Sequence, residues 1–156
     1  MTANNGCCVT YPNTSYTTER GGTMLECLAL AIYFEAQGEP DIGQVAVGQT
    51  ILNRVADPRW PDNTCEVIYQ GPRDGRGNMV RHRCQFSFYC DGRPDRPQPG
   101  AAWDQAQHNA YMAETLHRVG VDVTAGATHY HADYVAPGWA DRLHRLFQIG
   151  RHIFYR

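Results

Sequence analysis

An α+β fold dominated by helices, with a small sheet late in the chain, is what this 156-residue sequence predicts. Three observations lead there. Two apolar segments, the first opened by a capping box, fill residues 23–55 and an alanine-rich one fills about 100–119. Residues 71–100 hold nine Gly or Pro, too many for long regular elements, and suggest an ordered loop that forms a site. Last, "ATHYHADYV" and "FQIGRHIFYR" have the β-branched and aromatic character of two strands.

Taken in order, residues 1–22 are polar and form a leader or surface segment, with the domain proper at 23–156. "TMLE" at 23–26 is a capping box, in which Thr23 caps the helix and Glu26 reaches back to free backbone N–H groups. The first helix runs to about Gln37 and is stopped by Gly38 and Pro40. A second helix covers about 41–55. Its apolar residues, among them Ile42, Val45, Ile51 and Val55, wrap nearly all round, which predicts burial. "DPRWPDNTC" is a turn-rich loop and "EVIYQ" a short helix or strand. There are no internal repeats.

A chain of this size buries roughly 68–70% of its unfolded surface, enough for one real core. Charged residues are 19% of the total and the net charge is −2, with no basic block, so no nucleic-acid footprint is visible. No apolar run approaches the ~20 residues that span a bilayer. No signal peptide is visible either, which fits a trimmed secreted enzyme or a chain exported by other means. Six cysteines, at 7, 8, 27, 65, 84 and 90, are compatible with disulfides and an oxidising compartment. Cys27, among apolar helix residues, is expected as a buried thiol. Cys84 and Cys90 bracket "QFSFY" and could staple that loop, with Cys65 as a competing partner.

The chemistry starts at "AIYFEAQGEPDIGQ". At about 100° per residue, Glu35 falls between Ala31 and Leu28, inside the apolar stripe of the first helix. An apolar setting disfavours the charged carboxylate and raises its pKa, as a general acid protonating a glycosidic oxygen requires. The competing reading is a helix-end glutamate paired with an arginine or reaching into solvent. Glu39, four residues on, is a possible second carboxylate, although Gly38 and Pro40 suggest that it instead braces the turn or pairs with an arginine. His129 and His131 share one face of a strand, but an HxH alone is a weak zinc signal, so no metal is expected. Gln85 and Ser87 offer polar groups among aromatics, as sugar binding needs. Trp60 and Trp139 could stack on sugars or belong to the core.

Five blocks, "AIYFEAQGEPDIGQVAVGQTILNRV", "WPDNTCEVIYQ", "CQFSFYCDG", "ATHYHADYVAPGWA" and "IGRHIFYR", stand in an order that resembles the catalytic domain of the SleB/CwlJ cell-wall hydrolase family. The resemblance implies a lysozyme-like domain that cuts peptidoglycan between N-acetylmuramic acid and N-acetylglucosamine, best known as a lytic transglycosylase. It implies Glu35 as the catalytic acid, from the family's "EARGE"-type motif, written here "EAQGE" with Gln37 in place of the arginine. That substitution removes a positive charge near Glu35.

A transglycosylase needs one acid, no metal and no cofactor. Glu35 would protonate the bridging oxygen, then deprotonate the muramic 6-hydroxyl as it closes onto C1. A hydrolytic muramidase would recruit water, with Glu39 helping. Gln85, Phe86, Ser87, Tyr130 and His131 are the expected substrate contacts. The rivals are a zinc amidase or peptidase built on His129, His131 and His152 or Glu39, and a non-catalytic glycan-binding or virion-structural protein. The expected partner is the peptidoglycan glycan strand, met by a monomer in the periplasm or outside the cell, with a phage lysin as one possible source.

Overall fold

The computed structural model describes residues 22–156. The leader expected over 1–22, and with it Cys7 and Cys8, lies outside the described residues except for Gly22. Helix α1 (Met24–Ala36) begins with the expected capping box: the Thr23 side chain accepts the Glu26 N–H at 3.1 Å and Glu26 accepts the Thr23 N–H at 2.6 Å. Helix α2 (Asp41–Val55) follows after the Gly38 turn, then a short α3 (Thr64–Ile68) capped by the Asn63 side chain. Residues 71–100 run without long elements, broken by a 3-10 turn at Ser87–Cys90. Helix α4 (Ala101–Arg118) completes the helical body.

Helices α1, α2 and α4 pack on one another around Leu28, Ile32, Ile51 and Ala110, all buried. Gly48 sets how close they come, because a Cβ there would meet the Ala113 Cβ at 2.9 Å and the Ile32 Cδ1 at 3.0 Å. Asp41, in the first turn of α2, accepts from the side chains of Gln105 and Asn109 on α4 at 2.7 and 2.9 Å, a polar tie across the same joint.

The strands are β1 (His129–Ala132), β2 (Arg145–Ile149) and β3 (His152–Tyr155), antiparallel in the order β1-β3-β2. Two strands were expected. "FQIGRHIFYR" instead folds back on itself at Gly150, whose φ of +55° suits glycine. Helix α2 is buried along Gly43–Ile51 but not all round as expected, since Ile42 is exposed and Leu52 and Val55 are half-buried, and much of what it buries is polar. Gln49 donates to the Val121 carbonyl and accepts from the Val123 N–H, both at 2.7 Å. Asn53 donates to Asp122, Thr124 and the Ala127 carbonyl, and the Arg54 Nε donates to the Thr128 carbonyl at 2.6 Å. These side chains hold residues 121–128 against the helix and so deliver β1 to its place.

The disulfides correct one expectation. Cys27 is buried but is not a thiol: it bonds to Cys65 and ties α1 to α3. Cys65 is therefore no competitor for the loop, and Cys84 pairs with Cys90.

Candidate active site

Glu35 sits in the last turn of α1, half-buried, with its side chain toward the inner face of the sheet. The Tyr130 hydroxyl, from β1, donates to its Oε2 at 3.5 Å. Burial pushes the Glu35 carboxyl up to about 7, against the opposing pull of the Tyr130 hydrogen bond and the positive Arg54. Such an acid is still half protonated at neutral pH, in the range a general acid needs. Burial also pushes the Tyr130 hydroxyl well above its ordinary value, helped by the neighbouring Glu35, so it stays a donor.

Arg54 is the residue that sequence reasoning missed. It is only 3% exposed, and its guanidinium lies over both the Trp60 and Phe86 rings, 5.7 and 5.6 Å from their centroids. Its Nη1 is buried with no hydrogen-bond partner. The signal was available: Val47, Ile51 and Arg54 recur at helical spacing, so Arg54 lies on a buried stripe of α2. It also bears on Gln37, which is exposed. Arg54, from a different helix, supplies a positive charge near Glu35 even though Gln37 stands where the family's usual arginine would.

Glu39 faces elsewhere. Its Oε2 accepts the Arg151 N–H at 3.0 Å, across the β2–β3 turn. A Cβ on Gly150 would run into the same carboxylate. Glu39 thus braces a turn through a backbone N–H, but the turn is that of a hairpin more than a hundred residues away, not its own.

The expected substrate contacts divide. Tyr130 and His131 are neighbours on β1, and alternation sends them to opposite faces. Tyr130 packs with Glu35, His152 and Phe154; His131 packs on Trp139 and Tyr155, its Nε2 at 2.8 Å from the Tyr155 hydroxyl. His129 shares the His131 face, as the spacing predicts, and touches both Trp60 and Trp139. Burial lowers His129 to about 4, with the positive Arg54 and Arg59 adding to the effect, so it is neutral at physiological pH. Among the described residues no group of three His, Cys, Asp or Glu is placed to hold a metal ion. Gln85 and Ser87 are exposed, whereas Phe86 is buried beneath the Arg54 guanidinium. Phe88 stacks on Phe34 at 4.9 Å and so docks this segment beside Glu35 on α1. Trp60 and Trp139 are half-buried, between core and surface. Among the described residues no helix is long and apolar enough to cross a membrane.

A helical body carrying a small antiparallel sheet, with an acid at the end of its first core helix, is of the lysozyme-like class. More narrowly, the chain belongs to the cell wall hydrolase family, whose model matches residues 38–155, just beyond Glu35. It is 33% identical over 135 residues to the spore cortex-lytic enzyme of Halalkalibacterium halodurans, covering 83% of this chain and 34% of that one. It is 46% identical over 131 residues to the spore cortex-lytic enzyme of Bacillus subtilis strain 168, covering 83% and 36%. The chain thus spans about a third of the length of these relatives. The catalytic domain of the germination-specific lytic transglycosylase SleB from Bacillus anthracis superposes with a TM-score of 0.68 at 28% identity, over 92% of this chain and 99% of that one. The SleB catalytic domain of Bacillus cereus gives 0.60 at 27% identity, over 91% and 94%.

Proposed function

We propose that this domain is a lytic transglycosylase that cuts peptidoglycan glycan strands between N-acetylmuramic acid and N-acetylglucosamine, with Glu35 as its single acid and base. The observation that carries the reading is Glu35 itself, a carboxyl held near 7 by burial at the edge of the sheet. The likeness to the SleB catalytic domain supports the reaction class. Glu35 gives its proton to the bridging oxygen as the bond to muramic C1 breaks through an oxocarbenium-like state. The carboxylate left behind is matched by Arg54, whose buried charge and free Nη1 favour the ionised form at that moment. It then takes the proton of the muramic 6-hydroxyl, whose oxygen bonds to C1 to give the 1,6-anhydro product. The proton count closes and Glu35 returns to its acid form.

Glu39 is not needed, in keeping with its engagement to the Arg151 backbone. The disulfides among the described residues suit action outside the reducing cytoplasm, in the periplasm or beyond the cell. The test is digestion of purified peptidoglycan by wild type and Glu35→Gln, with the soluble products weighed by mass spectrometry. Products one water lighter than hydrolysed muropeptides, absent with the variant, are expected. Reducing-end products would make the enzyme a muramidase. No release by wild type would leave a binding protein.

A further inference from the structure

Next to the site lies an open pocket of about 390 Å³ whose walls include Arg59, Trp60, Gln70, Arg83, Cys84 and Gln85. That size lies in the range of small-ligand pockets. Its walls are fixed: the Gln85 N–H donates to the Gln70 carbonyl at 2.9 Å, and Cys84 is bonded to Cys90. Two of the six residues are cations in different states. Arg59 is ion-paired to Asp57 at 2.7 Å and lies over the Trp60 ring at 4.5 Å. Arg83 is exposed and its guanidinium has no acidic partner among the described residues. The Arg54 guanidinium lies 5.7 Å from the centroid of the same Trp60 ring, a third positive charge that pulls His129 down and partly opposes the rise of Glu35. The pocket therefore carries one unpaired cation, Arg83, and its Trp60 wall links it through the Arg54 guanidinium to Glu35.

We propose that this pocket binds a carboxylate of the peptide stem that muramic acid carries, with Arg83 as its anchor. The inference rests on the cleavage reading above, and the substrate's own geometry links the two. The stem hangs from the lactyl group of the same sugar whose C1–O bond is cut, so with that bond at Glu35 its carboxylates reach the flank of the site. A guanidinium is the side chain best shaped to take them, through paired N–H donors. Glycan strands that bear acidic stems would then be held more tightly than bare ones.

Binding is measured by calorimetry on the full chain with Glu35→Gln, which removes turnover. Three probes are compared: a disaccharide-tripeptide with free carboxylates, the same muropeptide with its carboxylates amidated, and the peptide-free disaccharide. Adding Arg83→Gln should weaken the acidic muropeptide 5- to 10-fold and leave the other two unchanged. Equal weakening of all three, or of none, would overturn the proposal. Arg83→Lys should recover part of the loss, which a merely structural role would not show. In the active chain, Arg83→Gln should raise KM on stem-bearing glycan with kcat kept, and do nothing on glycan stripped of stems by an amidase. If the acidic muropeptide depends on Arg83 while wild type cleaves nothing, the pocket stands and the cleavage reading falls. If cleavage and its dependence on Glu35 hold while Arg83 is indifferent, the pocket alone falls.

Discussion

Glu35 and Glu39 are four residues apart in one short stretch, and the fold gives them different surroundings. Glu35 ends α1 facing a tyrosine, with a buried arginine nearby, and its proton is held to about 7. Glu39 has left the helix and accepts the backbone N–H of Arg151 on a hairpin turn. The first is poised to exchange a proton; the second acts as a strut. Four-residue spacing places Cβ atoms ~5–6 Å apart only while the helix lasts. The helix ends at Ala36, and Gly38, at φ +86°, turns the chain before Glu39. Proximity in sequence therefore did not make a carboxylate pair, and desolvation, not spacing, singles out the acid.

The sharpest way to break this contrast is to neutralise each carboxylate in turn. Glu35→Gln should lower kcat on peptidoglycan by about 10²–10⁴-fold, the usual worth of a general acid. Glu39→Gln should keep activity within roughly 10-fold, since a positioning role elsewhere is all it loses. Comparable losses from both would mean that they act as a pair.

Stability against pH gives the next largest effect. The folded state holds the Glu35 proton more tightly than the unfolded chain, so its contribution is fully present below about 4.5 and is lost as pH rises through about 7. At about 1.4 kcal/mol per pH unit, the cost approaches roughly 3 kcal/mol above pH 7. Urea unfolding should therefore show Glu35→Gln gaining stability over wild type at pH 8 but not at pH 4.

Arg54→Met tests the other side of Glu35. It removes a charge that lowers Glu35 and a hydrogen bond to the Thr128 carbonyl. The basic limb of the kcat/KM profile should move to higher pH while kcat falls, because the ionised carboxylate loses its partner. Losing the bond should cost about 1–3 kcal/mol, read by denaturation.

The smallest effects concern the strut. Glu39→Gln should cost about 0.5–1.5 kcal/mol. Gly150→Ala drives a methyl group into that carboxylate. It should cost more than Glu39→Gln alone, and Glu39→Ala should relieve part of the damage in a double-mutant cycle read by thermal unfolding.

Much of this was legible in the sequence. The apolar period and the capping box placed α1, α2 and Glu35 where the structure has them. Arg54 escaped because α2 looked apolar all round, which hid that Gln49, Asn53 and Arg54 form a polar row with a task of its own. The hairpin at Gly150 was read as one strand because the residues on both sides share one β-forming character. The Cys27–Cys65 bond had no local signal, since a buried thiol and a buried disulfide ask for the same apolar neighbours. Grouping Tyr130 with His131 overlooked the strand alternation that had already put His129 and His131 on one face.

The most direct test is a pH titration of Glu35 by NMR on protein labelled with ¹³C at the glutamate carboxyl carbons, the Glu35 signal identified by its absence from Glu35→Gln. A midpoint near 7 is expected. A midpoint at the ordinary 4.5 would mean that Glu35 is ionised at neutral pH, and would remove the acid on which the account depends.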